Sequence, residues 1–346
     1  EGGLAPQLAY WKAQLAGELP ILALPTDHAR TVTHTFRGKT HAFTLAPDLV
    51  AALKRLSRQA NATLYMVLLT AFKVLLARYS GQTDILVGAP IANRHRLEVE
   101  QLVGFFVNML VSRTDLSGNP SFWEVLKRVR QVTLDAYAHQ DVPFELLVDE
   151  LQPRRDLSHT PLFQVVFNWH QAPLAPLALP GLTLELLTVE NRTTTFDLLF
   201  DLWETDAGIA GTIQYSTDLF EGTTIERLAN HYQTLLAEIV AQPEQRISEF
   251  SLLTEAERHQ LLVAWNETAT VYPQDKGVHE LFEEQVERTP DAIAVVFEEQ
   301  QLTYAALNCR ANQLAHYLQA QGVGPDLLVG LCLERSVEMV IGMLAV

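Results

Sequence analysis

Cysteine is nearly absent from this chain of 346 residues. Only Cys309 and Cys332 occur, and neither belongs to a CxxC or Cys/His array. Their spacing argues against a disulfide framework and against a cysteine-based zinc site, and it fits a reducing cytoplasm. We therefore predict a cytoplasmic protein that has no structural metal.

Long apolar runs and clusters of basic residues are also missing. No segment approaches the roughly 20 apolar residues that a membrane-spanning helix requires. The chain has 41 acidic and 25 basic residues, a net charge of -16, and no lysine- or arginine-rich run that could neutralise a row of phosphates. The sequence therefore predicts neither a membrane nor a nucleic acid as a partner.

Neither end of the chain carries the usual terminal signals. The chain begins Glu1-Gly2-Gly3 without an initiator methionine, a basic start or an apolar signal core. Residues 340–346 end inside an apolar run that has no helix cap. We therefore expect both ends to be cut from a longer polypeptide.

The chain does contain enough apolar residues for a substantial core. Hydrophobic residues make up 48% of the sequence, and its length indicates about two domains. Apolar residues at helical spacing, with capping boxes at Ser121/Glu124 and Thr254/Glu257, predict a series of helices. These helices open at Pro47 and at Thr63, the second ending near Gly81, and others cover residues 122–137, 223–240, 254–262, 278–288 and 304–321.

Short apolar or alternating runs predict the strands. They cover residues 84–89, 162–169, 182–189, 195–203, 209–215, 292–297, 301–303 and 327–333, with a proline-rich loop at 172–180. Strand alternation places Phe163, Val165 and Phe167 on one face. The opposite face then carries Gln164, Val166 and Asn168. Asp197 lies in an apolar strand, where a buried carboxylate needs a donor.

A polar, weakly periodic stretch at residues 266–277 separates two patterns. Beyond it, strands alternate with helices, as in an α/β unit. We therefore predict a first domain at residues 1–265, a linker at 266–277 and a second domain at 278–346.

Four local signatures occur in a fixed order in the first predicted domain. They are residues 24–27 (LPTD) following 10–12 (YWK), residues 103–108 (VGFFVN) with Arg113 and preceded by 88–94 (GAPIANR), residues 139–145 (HQDVPFE), and residues 155–164 (RDLSHTPLFQ). Each signature alone is weak evidence. Together, in this order and at this spacing, they resemble the condensation domains of nonribosomal peptide synthetases over about residues 1–265.

This resemblance implies an α/β (α+β) fold with a chloramphenicol-acetyltransferase-like condensation lobe. Domains of this family bring two thioesters, each tethered to a carrier protein by phosphopantetheine, to opposite mouths of a tunnel. There the acceptor amine attacks the donor thioester and a peptide bond forms. The implied partners are peptidyl carrier protein domains upstream and downstream and the rest of the same synthetase chain.

The second predicted domain carries a resemblance of its own. Residues 278–283 (VHELFE), 289–295 (TPDAIAV) and 302–308 (LTYAALN) look like the first βα units of a synthetase adenylation domain. That family activates an amino acid with ATP and magnesium. The sequence stops before a glycine-rich phosphate loop, so we expect this chain itself to bind no cofactor, and ATP and Mg to belong to the complete domain.

The catalytic motif of the condensation family, HHxxxDG, is absent from the given sequence. Eleven histidines are present, but no two are adjacent, and the dipeptide Asp-Gly does not occur. The resemblance therefore implies that the motif histidine lies upstream of residue 1. No catalytic residue is assigned here, and we expect the isolated chain to be inactive.

Several polar residues of the signatures are candidates for the tunnel or for its support. Arg94 follows a strand and either reaches into the tunnel to pair with the aspartate of the missing motif or remains a solvated loop residue, with a direct catalytic role less favoured. Asn108 lies in an apolar run, where an unsatisfied amide costs about 1–3 kcal/mol, so backbone bracing is favoured over substrate contact. Gln164 and Asn168 contact the tunnel if their face lines it, and otherwise pack in the sheet. Arg113 is a further support candidate.

The other signature residues are interpreted as structural anchors. Residues 142–144 resemble the start of a helix, with Pro143 near its first turn, and His139 and Asp141 cap or brace it in preference to acting as a base. Arg155 and Asp156 pair with each other or with a neighbouring lobe. Ser158 is a candidate to cap a turn.

Alternative functions stay open at this point. The chain could be a heterocyclisation or epimerisation relative, a carrier-independent acyltransferase of the same fold, or a non-catalytic docking and scaffold segment between domains. Direct continuation into an adenylation segment favours ordinary condensation over epimerisation, which more often follows a carrier domain.

Overall fold

The computed structural model describes residues 3–94, 97–153, 158–170 and 192–346. The chain divides into two compact units, residues 1–266 and 267–346. The strand predicted at 182–189 and the loop predicted at 172–180 lie outside the described residues.

The first unit is built on a mixed sheet. Within the described ranges its strands are β1 (Gly38–Leu45), β2 (Asp84–Ile91), β3 (Asn108–Asp115), β4 (Val165–His170), β5 (Leu198–Thr205) and β6 (Gly208–Ser216). They form one sheet in the order β1-β6-β5-β4-β2-β3, in which β4 is parallel to β2 and β5 and the other neighbours are antiparallel. The predicted α/β class is confirmed, whereas β1 and β3 were not predicted.

Helices pack on both faces of this sheet. They are α1 (Leu4–Gln14), α2 (Pro47–Gln59), α3 (Leu64–Ser80), α4 (Leu97–Glu100), α5 (Phe122–Ala138), α6 (Phe144–Leu151), α7 (Gly222–Ala241) and α8 (Glu255–Leu262), followed by a 3₁₀ turn at Ala264–Asn266. Helices α2, α3, α5 and α7 share one core with the first face, while α1 and α6 share a smaller core with the second face near β2, β3 and β4. Both predicted capping boxes are present.

Helix α3 occupies the centre of the larger core. The hydroxyl of Thr63 accepts from the amide of Met66 at its start, and Gly81 ends it in a left-handed conformation (φ 71°), as predicted. Residues 66–76 are all buried. The ring of Phe72 lies 4.4 Å from that of Phe200 and 5.2 Å from that of Phe167, measured between centroids.

No single described helix is long and apolar enough to cross a membrane. Helices α2 and α3 pass that test only as a pair, and they bend by 102° where they meet.

Lys73 is the one cation inside the buried stretch of α3. Its ammonium donates to the backbone carbonyl of Ser112 (2.8 Å), to the Ser112 hydroxyl (2.8 Å) and to the Thr114 hydroxyl (2.6 Å). Burial lowers the pKa of Lys73 to about 7, against a smaller raising effect of Asp84. The lysine therefore joins α3 to strand β3 through hydrogen bonds whose strength depends on its protonation.

The join between β2 and β4 is the narrowest in the sheet, with Gly88 and Val166 as its register pair. The ring of Phe163 lies over this join, and its Cε2 is 2.3 Å from where a Cβ on residue 88 would stand. Glycine is therefore required at position 88. Phe163 was predicted to share a face with Val165 and Phe167, which is wrong: it packs in the smaller core, because β4 begins only at Val165 and Leu162 has a positive φ of 68°.

Helix α8 contacts the rest of the first unit through His231 of α7. The imidazole Nδ1 lies 2.6 Å from the Tyr79 hydroxyl, and Nε2 lies 3.1 Å from a carboxylate oxygen of Glu257. Glu257 is also the capping-box residue at the start of α8. One carboxylate therefore both caps this helix and links it to the core.

The second unit contains α9 (Val278–Arg288), β7 (Ile293–Phe297), β8 (Gln300–Thr303), α10 (Tyr304–Ala320) and α11 (Val337–Ala345). Strands β7 and β8 form an antiparallel hairpin, and Leu307, Val337 and Ile341 form the buried core. The strand predicted at 327–333 is wrong. Its leucines are largely exposed, and no described strand lies beside it to complete a ladder of hydrogen bonds.

We expect Gly88→Ala to lower the stability of the first unit by about 1–3 kcal/mol, because the new methyl group overlaps the buried Phe163 ring. Denaturant unfolding followed by tryptophan fluorescence measures this change. Gly222→Ala is the matched control, since its nearest neighbour is the Tyr215 hydroxyl at 3.4 Å. Equal stability of the two variants would contradict the close approach at residue 88.

We expect Lys73 to make stability rise with pH. The folded pKa, about 7, is lower than the unfolded value of about 10.4, so between these values the unfolded chain binds the extra proton. Below about pH 7 the buried lysine is charged and destabilises the fold by its full amount. Between about pH 7 and about pH 10.4 the free energy of unfolding rises by about 1.4 kcal/mol per pH unit. Denaturant unfolding at several pH values, compared with Lys73→Met, measures this slope.

Lys127→Met is the control for that comparison, because Lys127 is exposed on α5. Lys73→Met should remove the slope and Lys127→Met should retain it. The same slope in wild type and Lys73→Met would show that another group is responsible.

Candidate functional site

One face of the sheet is left uncovered by described helices over four strands. Its side chains come from β1, β6, β5 and β4 and are half-buried or exposed, whereas most residues between them are buried. We call this surface the open face and define it by Thr40, Ala42, Thr44, Ala210, Thr212, Gln214, Asp201, Trp203, Asn168 and His170.

The polar chemistry of the open face is concentrated where β4 and β5 lie side by side. Asn168 and Asp201 are register partners, and the Asn168 amide Nδ2 donates to Asp201 Oδ1 at 2.9 Å. His170 Nε2 lies 2.7 Å from the same oxygen. The predicted alternation is confirmed here, since Val165 and Phe167 lie in the larger core and Asn168 on the opposite face.

Gln164 does not reach the open face. Its side chain is buried, accepts from the amide of Leu22 (2.9 Å) and donates to the carbonyl of Thr160 (3.3 Å). The structure therefore separates the two candidates on this strand: Asn168 lies on the open face, and Gln164 fixes a distant segment to the start of β4.

Asn108 uses every hydrogen-bonding position of its amide. Its Nδ2 donates to the carbonyls of Gln140 (3.0 Å) and Val142 (2.8 Å), and its Oδ1 accepts from the amides of Met109 (2.9 Å) and Phe144 (3.0 Å). Asn108 thereby fixes the third signature to the first residue of β3. This contact is backbone bracing, the role favoured for Asn108.

His139 and Asp141 contact helix α1, whereas the cap predicted for α6 is wrong, because the N-cap residue of α6 is Pro143 and it makes no side-chain cap hydrogen bond. The ring of His139 stacks on Tyr10 with centroids 4.0 Å apart, and its Nδ1 lies 2.8 Å from the carbonyl of Asp135. Burial, with a smaller effect of Asp135, raises the pKa of Tyr10 to about 12, so the stacked phenol stays neutral. Asp141 contacts Gln7 of α1 through its amide and its carboxylate.

Pro143 immediately precedes α6, so the predicted start of a helix at residues 142–144 is confirmed. Arg113 pairs with Asp84 at 2.8 Å and donates to the carbonyls of Gln14, the last residue of α1, and Ala16. The hydrogen bonds that Arg113 donates to Asp84 raise the pKa of Arg113. Arg113 therefore supports the position of α1.

Arg94 organises the loop that contains the second signature. Its guanidinium donates to the carbonyls of Val99 (2.6 Å), Leu102 (2.8 Å) and Gly104 (3.1 Å), and it lies 4.2 Å from the centroid of the Phe106 ring. These contacts hold the loop while Val103 and Phe105 stay exposed. Pairing of Arg94 with an upstream aspartate stays a prediction.

The remaining signatures also join distant segments. Asp27 accepts from the amide of Glu221 (2.8 Å) and the hydroxyl of Thr224 (2.9 Å) at the start of α7, and the amide contact lowers the pKa of this carboxylate. The carbonyl of Ser158 accepts from Arg30 at 3.1 Å. Arg155 and Asp156 lie outside the described residues.

Asp197 was expected to need a donor, and Arg30 supplies it. The guanidinium makes a two-point contact with the buried carboxylate at 3.0 and 2.5 Å. No sequence signal marked Arg30. His170 and Asp201 were also not singled out, although the alternation that places Asn168 on the open face puts His170, two residues further on, on the same side.

The described residues contain no group of three or more His, Cys, Asp or Glu side chains that could hold a metal ion. Residues 278–346 contain no lysine, which is the basic side chain of a glycine-rich phosphate loop. The residues present therefore do not by themselves form a site for ATP and magnesium.

Comparison with known proteins assigns both units. A family model for the condensation domain matches residues 3–262, and a model described as AMP-binding enzyme matches residues 282–346. The chain therefore belongs to the condensation-domain family and continues into the beginning of an AMP-binding domain.

The curated relatives are nonribosomal peptide synthetases. Chondramide synthase cmdD from Chondromyces crocatus is 48% identical over 342 residues, which are 98% of this chain and 9% of that protein. Tyrocidine synthase 3 from Brevibacillus parabrevis is 45% identical over 98% of this chain and 5% of its own length. The chain thus spans less than a tenth of the relatives it matches.

Solved structures support the same fold. The X-domain from teicoplanin biosynthesis superposes with a TM-score of 0.69 at 30% identity, covering 73% of this chain and 58% of that chain. A four-domain nonribosomal peptide synthetase bound to AMP and glycine gives a TM-score of 0.77 at 23% identity, covering 92% of this chain and 25% of that chain. This chain is a condensation-domain segment of nonribosomal peptide synthetase type that leads into an adenylation segment.

We expect Asn108→Asp to destabilise the first unit strongly. The substitution keeps an acceptor for Met109 and Phe144 but turns a carboxylate oxygen toward two carbonyls, each costing about 1–3 kcal/mol when unsatisfied. Denaturant unfolding and amide exchange at Phe144 measure the loss. Asn230→Asp on the exposed side of α7 is the control, and the bracing role fails if both variants lose the same stability.

Proposed function

We propose that this chain is the C-terminal part of a condensation domain that forms a peptide bond between two carrier-bound thioesters. The match of the condensation model to residues 3–262 carries this proposal. The open face supports it, because a reactive channel requires a sheet surface that the domain's own helices do not cover. The domain limits we propose are 1–265 for condensation, 266–277 for the linker and 278–346 for the adenylation segment.

The reaction sets clear chemical demands on such a domain. Aminolysis of a thioester needs a neutral amine held at attack distance and stabilisation of the charge that develops on the carbonyl oxygen. The four signatures serve the first demand indirectly, since their polar residues fix segments from different parts of the chain around the sheet. The histidine of the HHxxxDG motif lies upstream, so the isolated chain lacks activity.

The partners and substrates follow from the same proposal. Peptidyl carrier domains of the same synthetase present the substrates on phosphopantetheine, and the completed adenylation domain uses ATP and magnesium. A reducing, cytoplasmic setting is in keeping with Cys309 and Cys332, which are both unpaired and exposed.

A single-turnover assay with two loaded carrier proteins tests the proposal. A protein extended upstream to include HHxxxDG should form the dipeptidyl product, and replacement of the second motif histidine by alanine should abolish it. The 346-residue chain alone should form none.

The same assay separates the alternatives. Heterocyclisation would yield a ring product and requires a pair of aspartates in place of the motif. If the extended protein receives both loaded carriers and never forms an amide, the condensation proposal is wrong and a docking or scaffold role replaces it.

A further inference from the structure

Asp201, His170 and Asn168 form a hydrogen-bonded group on the open face, on two adjacent parallel strands. The register pairs Asn168 with Asp201 and His170 with Trp203. The Asp201 and His170 side chains keep 29% and 48% of their surface exposed, so the group is reachable from outside. Within the described ranges, no lysine or arginine pairs with Asp201.

The contacts determine which tautomer His170 adopts when its ring is neutral. Nε2 is 2.7 Å from Asp201 Oδ1 and 3.1 Å from Asn168 Nδ2. A carboxylate oxygen only accepts, so the 2.7 Å contact with Asp201 requires the proton on Nε2, and the Asn168 amide, which donates to the same oxygen, then makes no hydrogen bond to Nε2. The second ring nitrogen, Nδ1, is then an acceptor.

Three acceptors of this group have no described partner. They are Nδ1 of His170, the second carboxylate oxygen, Oδ2, of Asp201, and the amide oxygen, Oδ1, of Asn168. An anionic carboxylate beside a neutral imidazole repels anions and attracts a cation that can donate more than one hydrogen bond. A primary ammonium has three N–H donors, and the indole of Trp203, next to His170 in the register, is an aromatic surface suited to a cation.

We propose that His170 and Asp201 bind the primary ammonium group of an aminoacyl substrate, with Asn168 orienting the carboxylate. This inference rests on the proposed function for the identity of the substrate, whereas the ammonium site itself rests on the geometry of the open face. His170 and Asp201 are positioning residues. They hold the amine-bearing acyl group before a base elsewhere in the domain completes the reaction.

The test uses the 346-residue chain and L-leucinamide as the probe. ¹⁵N-labelled imidazole signals are recorded in a buffer of about pH 8, where an ordinary imidazole is neutral. In the unliganded chain, His170 should be the Nε2–H tautomer, and millimolar L-leucinamide should shift its Nδ1 signal. N-acetyl-L-leucinamide, which has the same side chain and no ammonium, should leave the signal unchanged.

Asp201→Asn should weaken L-leucinamide binding at least tenfold and reduce the population of the Nε2–H tautomer. His170→Gln, followed by calorimetry, should weaken binding similarly. Asp206→Asn is the matched control, because the substitution removes the same charge and Asp206 is exposed in the turn between β5 and β6. Circular dichroism establishes that each variant is folded.

The proposal is overturned if Asp201→Asn and Asp206→Asn bind L-leucinamide equally, or if the N-acetyl compound shifts His170 as strongly as the free amine. Its failure is distinguishable from that of the proposed function. If the extended protein forms product and the Asp201→Asn variant still binds L-leucinamide normally, the ammonium site is wrong and the condensation proposal stands. If Asp201→Asn alone loses L-leucinamide binding and the extended protein forms no product, the ammonium site stands and the condensation proposal is wrong.

Discussion

Burial of helix α3 against the sheet is the interaction on which the first unit depends. Residues 66–76 are sealed between α2, α5, α7 and the strands, and their apolar side chains supply the centre of the larger core. A helix buried on nearly every side cannot move without opening that core. Burial of the Lys73 charge is unfavourable, and its three hydrogen bonds offset part of that cost. They also connect α3 to β3 at the edge of the sheet.

The two faces of the sheet then have different tasks. One face is committed to the core, so the polar residues that could meet a substrate are confined to the other face. The signature residues Asp27, Asn108, His139 and Gln164 serve this arrangement by fixing turns and helices that come from distant parts of the chain. Their hydrogen bonds are internal, which explains how short, separated signatures can mark a fold without forming one reactive cluster.

Local patterns predicted the helices well and the strands less evenly. Helix α3 and both capping boxes follow from adjacent residues, and the structure confirms them. Strands β1 and β3 are edge strands whose pairing is set by distant neighbours, so their own residues carry a weak signal. The failed strand at 327–333 shows the converse, since an apolar run forms a strand only beside a partner. Arg30 and Asp201 were missed because each acquires its role from a partner that only folding brings close.

The narrow join between β2 and β4 divides the sheet into two groups of strands, which we call blades. One blade contains β2 and β3, and the other contains β4, β5, β6 and β1. Strands β2 and β3 pair along eight residues, as do β5 and β6, whereas the two blades meet at Gly88 and Val166 beneath the Phe163 ring. The connection between β2 and β4 is therefore the weakest pairing between neighbouring strands in the sheet. A change in the angle between these two groups of strands would therefore turn Asn168 and Asp201 relative to Asn108 and would interrupt only the Gly88–Val166 pair.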